Sequence, residues 1–185
     1  MSKIALTPNA SGTGTFTLAA PNSNTNRTIT LPDSDGTLLA SGSSITVSSA
    51  TVNGTLDIEE VYEKVTTQTS TTGTITFDTT AQGVEFYTAD QTADRTINFR
   101  GDSSTTLDTM LAIGESITVS IAMTQGSTAY YLSTYQIDGS AVTPKWQGGS
   151  APDSGNASGV DVYTFVIIKT GSATFTVLAS LKDFA

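Results

Sequence analysis

The second half of the chain alternates apolar and polar residues in short runs, which is the pattern of β-strands. The runs lie within residues 72–78, 83–89, 94–100, 115–124, 129–138, 160–170 and 172–180. Turns rich in Gly, Ser and Asp separate them. This spacing predicts an all-β fold in which residues 67–185 form an antiparallel β-sandwich or jelly-roll-like domain.

Within this domain the last two strands are expected to form a hairpin that turns at residues 169–172. Their apolar positions are core candidates: Phe165, Ile167, Phe175 and Val177. A separate apolar cluster predicts a helical turn that plugs one end of the domain, formed by Leu107, Met110, Leu111 and Ile113.

Residues 1–55 alternate in the same way but supply few apolar side chains. Phe16 and Leu18 share one short strand, and Ile29 and Leu31 share the next before Pro32 stops it. So little apolar surface does not offset the conformational entropy of ordering about 55 residues. The segment is therefore either disordered or buries its thin apolar face against copies of itself or a partner. The clean alternation and distinct turns favour an extended β attachment or intertwining segment.

Residues 56–66 change period from two to that of a helix. Ile58, Val61, Tyr62 and Val65 follow one another at i, i+3, i+4 and i+7, which predicts a short connecting helix. A helix of about three turns is marginal alone in water, so its stripe needs something to pack on. It either caps the β-domain or forms a short oligomer seam between the two segments of the chain. The predicted oligomer contacts are Phe16, Leu18, Ile29, Leu31, Ile58, Val61 and Val65.

One phrase occurs twice, as NRTITLP at residues 26–32 and DRTINFR at residues 94–100. In each copy an arginine, Arg27 or Arg95, opens an alternating strand. The repetition indicates either a hairpin design used twice or a chance product of Thr-rich alternation. The arginines are expected to be structural, pairing with a neighbouring Asp or a backbone carbonyl.

Composition narrows the functional classes. The chain has a formal net charge of −9, with eight scattered basic residues, which argues against a nucleic-acid partner. It has neither His nor Cys, which removes imidazole bases, thiolates and the common transition-metal ligands. No catalytic, cofactor-binding or metal residue is predicted, and the chain is not expected to be an enzyme.

No targeting or membrane segment is evident. The beginning, MSKIALTPNASG, has no apolar run of signal-peptide length, and no stretch approaches a membrane span. We therefore expect synthesis in a cytoplasm without membrane insertion.

The candidate ligand surface lies in loops near the single tryptophan. Trp146 stands in the Gly-, Ser- and Pro-rich stretch 143–159, with Tyr130, Tyr131 and Tyr135 upstream. Trp146 is either a plug over the sandwich or an exposed stacking platform for a sugar or receptor.

Two stretches together resemble a known class of proteins. The first is SKIALTPNASGTGTFTLAAPNSNTNRTITLPDSDGTLLASG, and the second is KWQGGSAPDSGNASGVDVYTFVIIKTGSATFTVLASLKDFA. They are similar to modules of virion structural proteins, fibre-like or decoration proteins of tailed phages, especially marine cyanophages. The likeness covers about 80 of 185 residues. It implies location in the virion and, as is typical of fibres and spikes, a homotrimer in contact with other virion proteins.

The sequence therefore predicts a trimeric fibre, or a capsid or tail appendage, of a phage virion, made in the host cytoplasm. A host receptor- or glycan-binding tip is the alternative, and a glycan-degrading virion enzyme is the less favoured one.

Overall fold

The computed structural model of the chain describes residues 10–15, 17, 22–26, 28 and 54–185. The chain divides into two units, residues 1–56 and residues 57–185. Most positions of the strands predicted in the first 55 residues lie outside the described residues. The second unit contains the helix and strands described below.

The second unit is built almost entirely of β-strands, as the alternation predicted. The strands are β1 (Val65–Gln68), β2 (Thr74–Asp78), β3 (Val84–Tyr87), β4 (Arg95–Arg100), β5 (Ser116–Thr124), β6 (Leu132–Ile137), β7 (Ser140–Ala141), β8 (Lys145–Trp146), β9 (Val160–Gly171) and β10 (Thr174–Phe184). One helical turn, α1 (Leu107–Met110), precedes β5. The all-β class is therefore confirmed.

The strands form two sheets, and the chain moves from one sheet to the other at each step from β1 to β6. The six-stranded sheet has the order β1-β3-β5-β9-β10-β8, and the four-stranded sheet has the order β2-β4-β6-β7. Strands β1, β3 and β5 are parallel neighbours, as are β2, β4 and β6. The first six strands thus form a coil whose turns each contribute one strand to each sheet.

The predicted antiparallel arrangement is wrong for this coil. Antiparallel pairs do occur at β5–β9, β9–β10 and β6–β7. A parallel neighbour requires a crossover connection, and here the intervening strand in the other sheet supplies it. Between β1 and β6 the loops joining consecutive strands therefore do not make hairpins, whereas β9 and β10 form the hairpin predicted for the last two strands. The jelly roll, which is assembled from antiparallel Greek keys, has a different connection pattern.

Aromatic side chains from both sheets meet in the core. Phe99 on β4 contacts Phe165 on β9 edge-to-face, with 5.0 Å between ring centroids, and lies 6.0 Å from Phe77 on β2. All three are fully buried. The strand alternation explains this, because every second residue of β2, β4 and β9 points inward.

The helix predicted across residues 56–66 is wrong. Residues 55–64 contain neither helix nor strand, and β1 begins at Val65. The stripe predicted for that helix remains solvent-exposed, so no packing offsets the cost of nucleating three turns. Val65 instead pairs with Val84 of β3, which draws the end of the stripe into the sheet.

The helical turn near residue 110 forms as α1. The Thr106 side chain accepts a hydrogen bond from the backbone N–H of Thr109 and so caps it. Leu107 and Leu111 are buried, whereas Ile113 is 67% exposed. The backbone N–H of Leu107 also donates to the Asp138 carboxylate at 2.8 Å, which fixes the turn to the end of β6.

Truncation of the central aromatic side chain tests this packing. We expect Phe99→Ala to lower the free energy of unfolding by about 3–5 kcal/mol, because it leaves a cavity where the sheets meet. Chemical denaturation followed by tryptophan fluorescence measures the loss. Ile113→Ala, at an exposed position, is the control and should change stability by less than about 0.5 kcal/mol. Equal losses for both variants would contradict the proposed core.

Candidate functional site

Trp146 lies on the edge strand β8 and closes one end of the aromatic core. Its ring centroid is 5.5 Å from that of Tyr135, 6.2 Å from Phe165 and 6.3 Å from Tyr163, in edge-to-face arrangements. Its neighbour Lys145 pairs with Leu178, and Trp146 itself pairs with the buried Ala179 of β10. This geometry favours the plug over the fully exposed stacking platform.

The three predicted tyrosines occupy different environments. Tyr135 is buried on β6, and its hydroxyl donates to the backbone carbonyl of Leu132. Burial raises the pKa of the Tyr135 phenol above its ordinary value. Tyr131 is half-buried against the core, and its backbone N–H donates to Asp94 at 3.2 Å. Because Tyr135 is buried, it cannot present its ring to a ligand in this arrangement.

Tyr130 is fixed through its backbone. Its N–H donates to Gln125 Oε1 at 2.9 Å, and its carbonyl accepts from Gln125 Nε2 at 2.7 Å. The structure thus brings Trp146 and Tyr135 into contact and leaves Tyr130 held by a separate loop interaction.

Two open clefts flank the partly exposed Trp146 ring. One, of about 360 Å³, is also lined by Val166 and Leu178. The other, of about 300 Å³, is lined by Pro152, Lys182 and Asp183 as well as Trp146. A ligand in the second cleft would lie beside an aromatic side chain, a cation and a carboxylate, supplied by Trp146, Lys182 and Asp183. Neither cleft is lined by the three predicted tyrosines.

Of the predicted oligomer contacts, three lie in the described part of the chain. Ile58, Val61 and Val65 are 52%, 65% and 51% exposed, and the adjacent Tyr62 is 86% exposed. Phe16, Leu18, Ile29 and Leu31 lie outside the described residues. Ile58 and Val61 lie in chain without regular secondary structure, and Val65 begins β1, so the three do not share one face of a helix.

Arg95 of the repeated phrase is the centre of a buried polar network. It is 2% exposed, and its guanidinium donates to the carbonyls of Gly73 and Ser70, each at 3.0 Å, and to Gln91 Oε1 at 3.1 Å. The guanidinium carbon lies 4.6 Å from the centroid of the Tyr87 ring. Carbonyl pairing is the structural role expected for this arginine. Arg27, in the other copy of the phrase, lies outside the described residues.

Glu85, which sequence reasoning missed, lies beside this network. It is 2% exposed, and its carboxylate accepts hydrogen bonds from Gln82 Nε2 at 2.8 Å and from the Tyr87 hydroxyl at 2.9 Å. Burial raises the pKa of Glu85, and the Tyr87 hydrogen bond opposes that shift. In the segment GVEFYTA, Glu85 and Tyr87 are two residues apart and therefore lie on the same face of a strand. With Tyr87 in the core, the alternation places Glu85 there too.

A second polar cluster surrounds Asp161 on β9. Its carboxylate accepts from Gln125 Nε2 at 3.0 Å and from the backbone N–H of Asn156 at 3.1 Å, and it stands opposite Asp183 of β10. Burial is the main cause that raises the pKa of Asp161, and Asp183 adds to it. The cluster joins the loop before β9 to the end of β5.

These buried polar groups are engaged with one another. Among the described residues, no buried side-chain nitrogen or oxygen lacks a hydrogen-bond partner. In the same part of the chain, no group of three or more acidic residues is placed to hold a metal ion. No helix within the described ranges is long and apolar enough to cross a membrane. The arrangement therefore accounts for the polar residues as supports of the fold.

Comparisons with protein-family models, curated proteins and solved structures find no match for this chain.

The two arginines at the ends of β4 provide a matched test of the buried network. We expect Arg95→Ala to destabilise the protein by about 3 kcal/mol or more, because it leaves buried carbonyls and Gln91 unpaired. Arg100→Ala removes a partly exposed ion pair with Asp78, which solvent screens, and should therefore destabilise the protein far less than Arg95→Ala. Urea denaturation of both variants measures the difference, and similar losses would count against the network.

The buried carboxyl of Glu85 predicts a pH dependence of stability. Its folded-state pKa is raised above 4.5, so the folded protein binds this proton more tightly than the unfolded chain. Its contribution to stability is therefore complete below about pH 4.5 and declines as the pH rises through the folded-state pKa. Glu85→Gln should become more stable relative to wild type as the pH rises from 4.5 to 7.

Urea unfolding at several pH values measures this dependence. The same substitution at the exposed Glu60 is the matched control for loss of one negative charge. A stability difference between Glu85→Gln and wild type that is unchanged from pH 4.5 to 7 would contradict the assignment.

Proposed function

We propose that this chain is a structural protein of a phage virion: a homotrimeric fibre, or a capsid or tail appendage. Residues 1–55 attach the protein to other virion proteins or intertwine the copies, and residues 67–185 face outward. The support from sequence is the resemblance of residues 2–42 and 145–185 to virion modules, together with the small supply of apolar residues in the first segment.

The observation that carries the proposal is the exposed apolar run that leads into β1. Ile58, Val61, Tyr62 and Val65 each have more than half of their surface in water. Four large apolar side chains within eight residues form an exposed surface that association would bury. A protein that works by assembly has a use for such a segment.

The way in which the two sheets pack is also part of this proposal. We infer that the two sheets form a sandwich that acts as the outward-facing module. Support comes from the aromatic contact of Phe99 with Phe165 across the sheets. Internal pairing of the buried polar groups suits a stable module displayed on a particle surface.

A host glycan or receptor is the second candidate partner. The cleft of about 300 Å³ beside Trp146 supports it, since Lys182 and Asp183 lie next to the aromatic ring there. In this alternative the protein is the receptor-binding tip of the appendage. The proposed homotrimer and the attachment through residues 1–55 are the same.

The proposal predicts both a mass and a location. In dilute solution the full chain should scatter light as a species of about three times 19.1 kDa. In the phage that encodes it, a copy lacking residues 1–55 should fail to join purified particles, whereas full-length protein should be detected there by mass spectrometry. A monomeric mass would exclude the trimer, and normal incorporation of the truncated chain would exclude the attachment role.

A further inference from the structure

The solvent-facing side of the six-stranded sheet carries large apolar side chains among small polar ones. Because Glu85, Tyr163, Phe165 and Val177 point inward, their strand neighbours point outward. The outer face of the six-stranded sheet carries the apolar residues Val84, Phe86, Val162, Val166, Ile168 and Leu178. These apolar residues lie on β3, β9 and β10. Its other outward positions on β5, β9 and β10 include the small polar residues Ser116, Thr118, Ser120, Thr124, Thr164, Thr176 and Ser180.

The apolar side chains form two groups on the same face, separated by the polar row of Ser120, Thr164 and Ser180. Leu178 pairs directly with Val166 across β9 and β10. Phe86 pairs with Ala122 of β5, which in turn pairs with Val162. Side chains at paired positions on one face are close enough to contact one another. At the sheet edge Val65 pairs with Val84, so the outer face runs into the exposed segment that carries Ile58 and Val61.

The opposite sheet has a different outer face. Its outward positions are Thr74, Thr76, Asp78, Thr96, Asn98, Arg100, Thr134 and Gln136. Each of these is polar or charged, as expected of a sheet face that remains in water. The apolar character is therefore specific to the six-stranded sheet rather than a general consequence of composition.

Charge indicates what covers the apolar face. The chain has a net charge of −9, so two copies repel each other through most of their surfaces. The strands of the six-stranded sheet place no carboxylate on the outer face, where the charged groups are Lys145 and Lys182 near one edge. Copies that meet through this face avoid carboxylate repulsion and bury apolar side chains.

The size of the face is compatible with such an association. The adjacent strands β1, β3, β5, β9 and β10 lie about 4.8 Å apart, and three outward rows about 6.7 Å apart on them cover roughly 500 Å² per copy, polar positions included. Two copies meeting through this area would bury roughly 1,000 Å² in total, which is at the lower limit for a specific interface. The adjoining segment with Ile58 and Val61 also carries Asp57, Glu59, Glu60 and Glu63, so its area is not counted.

We propose that the outer face of the six-stranded sheet is the surface through which copies of this chain associate. This inference rests on the proposed homo-oligomeric assembly and assigns its contact surface to named residues.

Two matched double variants test the assignment on the full-length chain. Val166→Glu with Leu178→Glu places two charges on paired positions of the outer face. Thr96→Glu with Thr134→Glu places two charges on paired positions of the opposite sheet. Light scattering gives the mass of each, and circular dichroism and thermal unfolding establish that each is folded. A milder pair, Val166→Thr with Leu178→Thr, removes apolar surface without adding charge.

We expect wild type and the Thr96/Thr134 variant to remain associated, the Val166/Leu178 glutamate variant to be monomeric, and the threonine pair to dissociate at a concentration at least tenfold higher than wild type. If the glutamate pair unfolds the protein, the threonine pair decides the outcome. A wild type that is monomeric overturns both the assembly and this surface. Association that survives the Val166/Leu178 changes overturns the surface alone and leaves the proposed assembly intact.

Discussion

The buried guanidinium of Arg95 ties together the parts of the chain that begin the coil. It donates to carbonyls of Ser70 and Gly73 in the loop between β1 and β2, and it lies against the Tyr87 ring of β3. Arg95 itself opens β4, so one side chain contacts both sheets. A charged group so deeply buried is stable only when its donors are satisfied. The loops around it must therefore keep their conformation if the two sheets are to keep their spacing.

This arrangement explains how a Thr-rich chain with modest apolar content closes a two-sheet domain. At the β9 side the core is filled by aromatic rings such as Phe99 and Phe165. At the β1 side the inward positions are polar, with Thr66 donating to Gln82 at 3.2 Å and Glu85 held by two hydrogen bonds. Polar inward positions are tolerated there because each partner is present, and Arg95 supplies the compensating positive charge.

Sequence patterns were informative where one strand or turn decides its own structure. The alternating runs predicted the strands, and the apolar cluster at Leu107 predicted α1. These patterns did not predict which strands pair. A short loop can join two paired strands of a hairpin, or it can join two strands that lie in different sheets. The helix expected at residues 56–66 was wrong because periodicity records which residues could share a face, whereas helix formation requires a surface for that face to pack against.

The candidate site was predictable to a similar degree. Trp146 stood out as the single tryptophan of a loop, yet its packing on Tyr135 and Tyr163 depends on strands distant in sequence. Glu85 was missed because alternation alone does not say which face of β3 is inward, and the Val84 and Phe86 face is as apolar as the face with Tyr87. A shift of one residue in register would have placed Val84 and Phe86 in the core. The observed register instead buries a carboxylate, which Arg95 helps to stabilise, and turns Phe86 outward. This register of β3 is favourable if the outer face is covered in an assembly, because Val84 and Phe86 are then removed from water. The buried network and the apolar outer face are thus two consequences of one register.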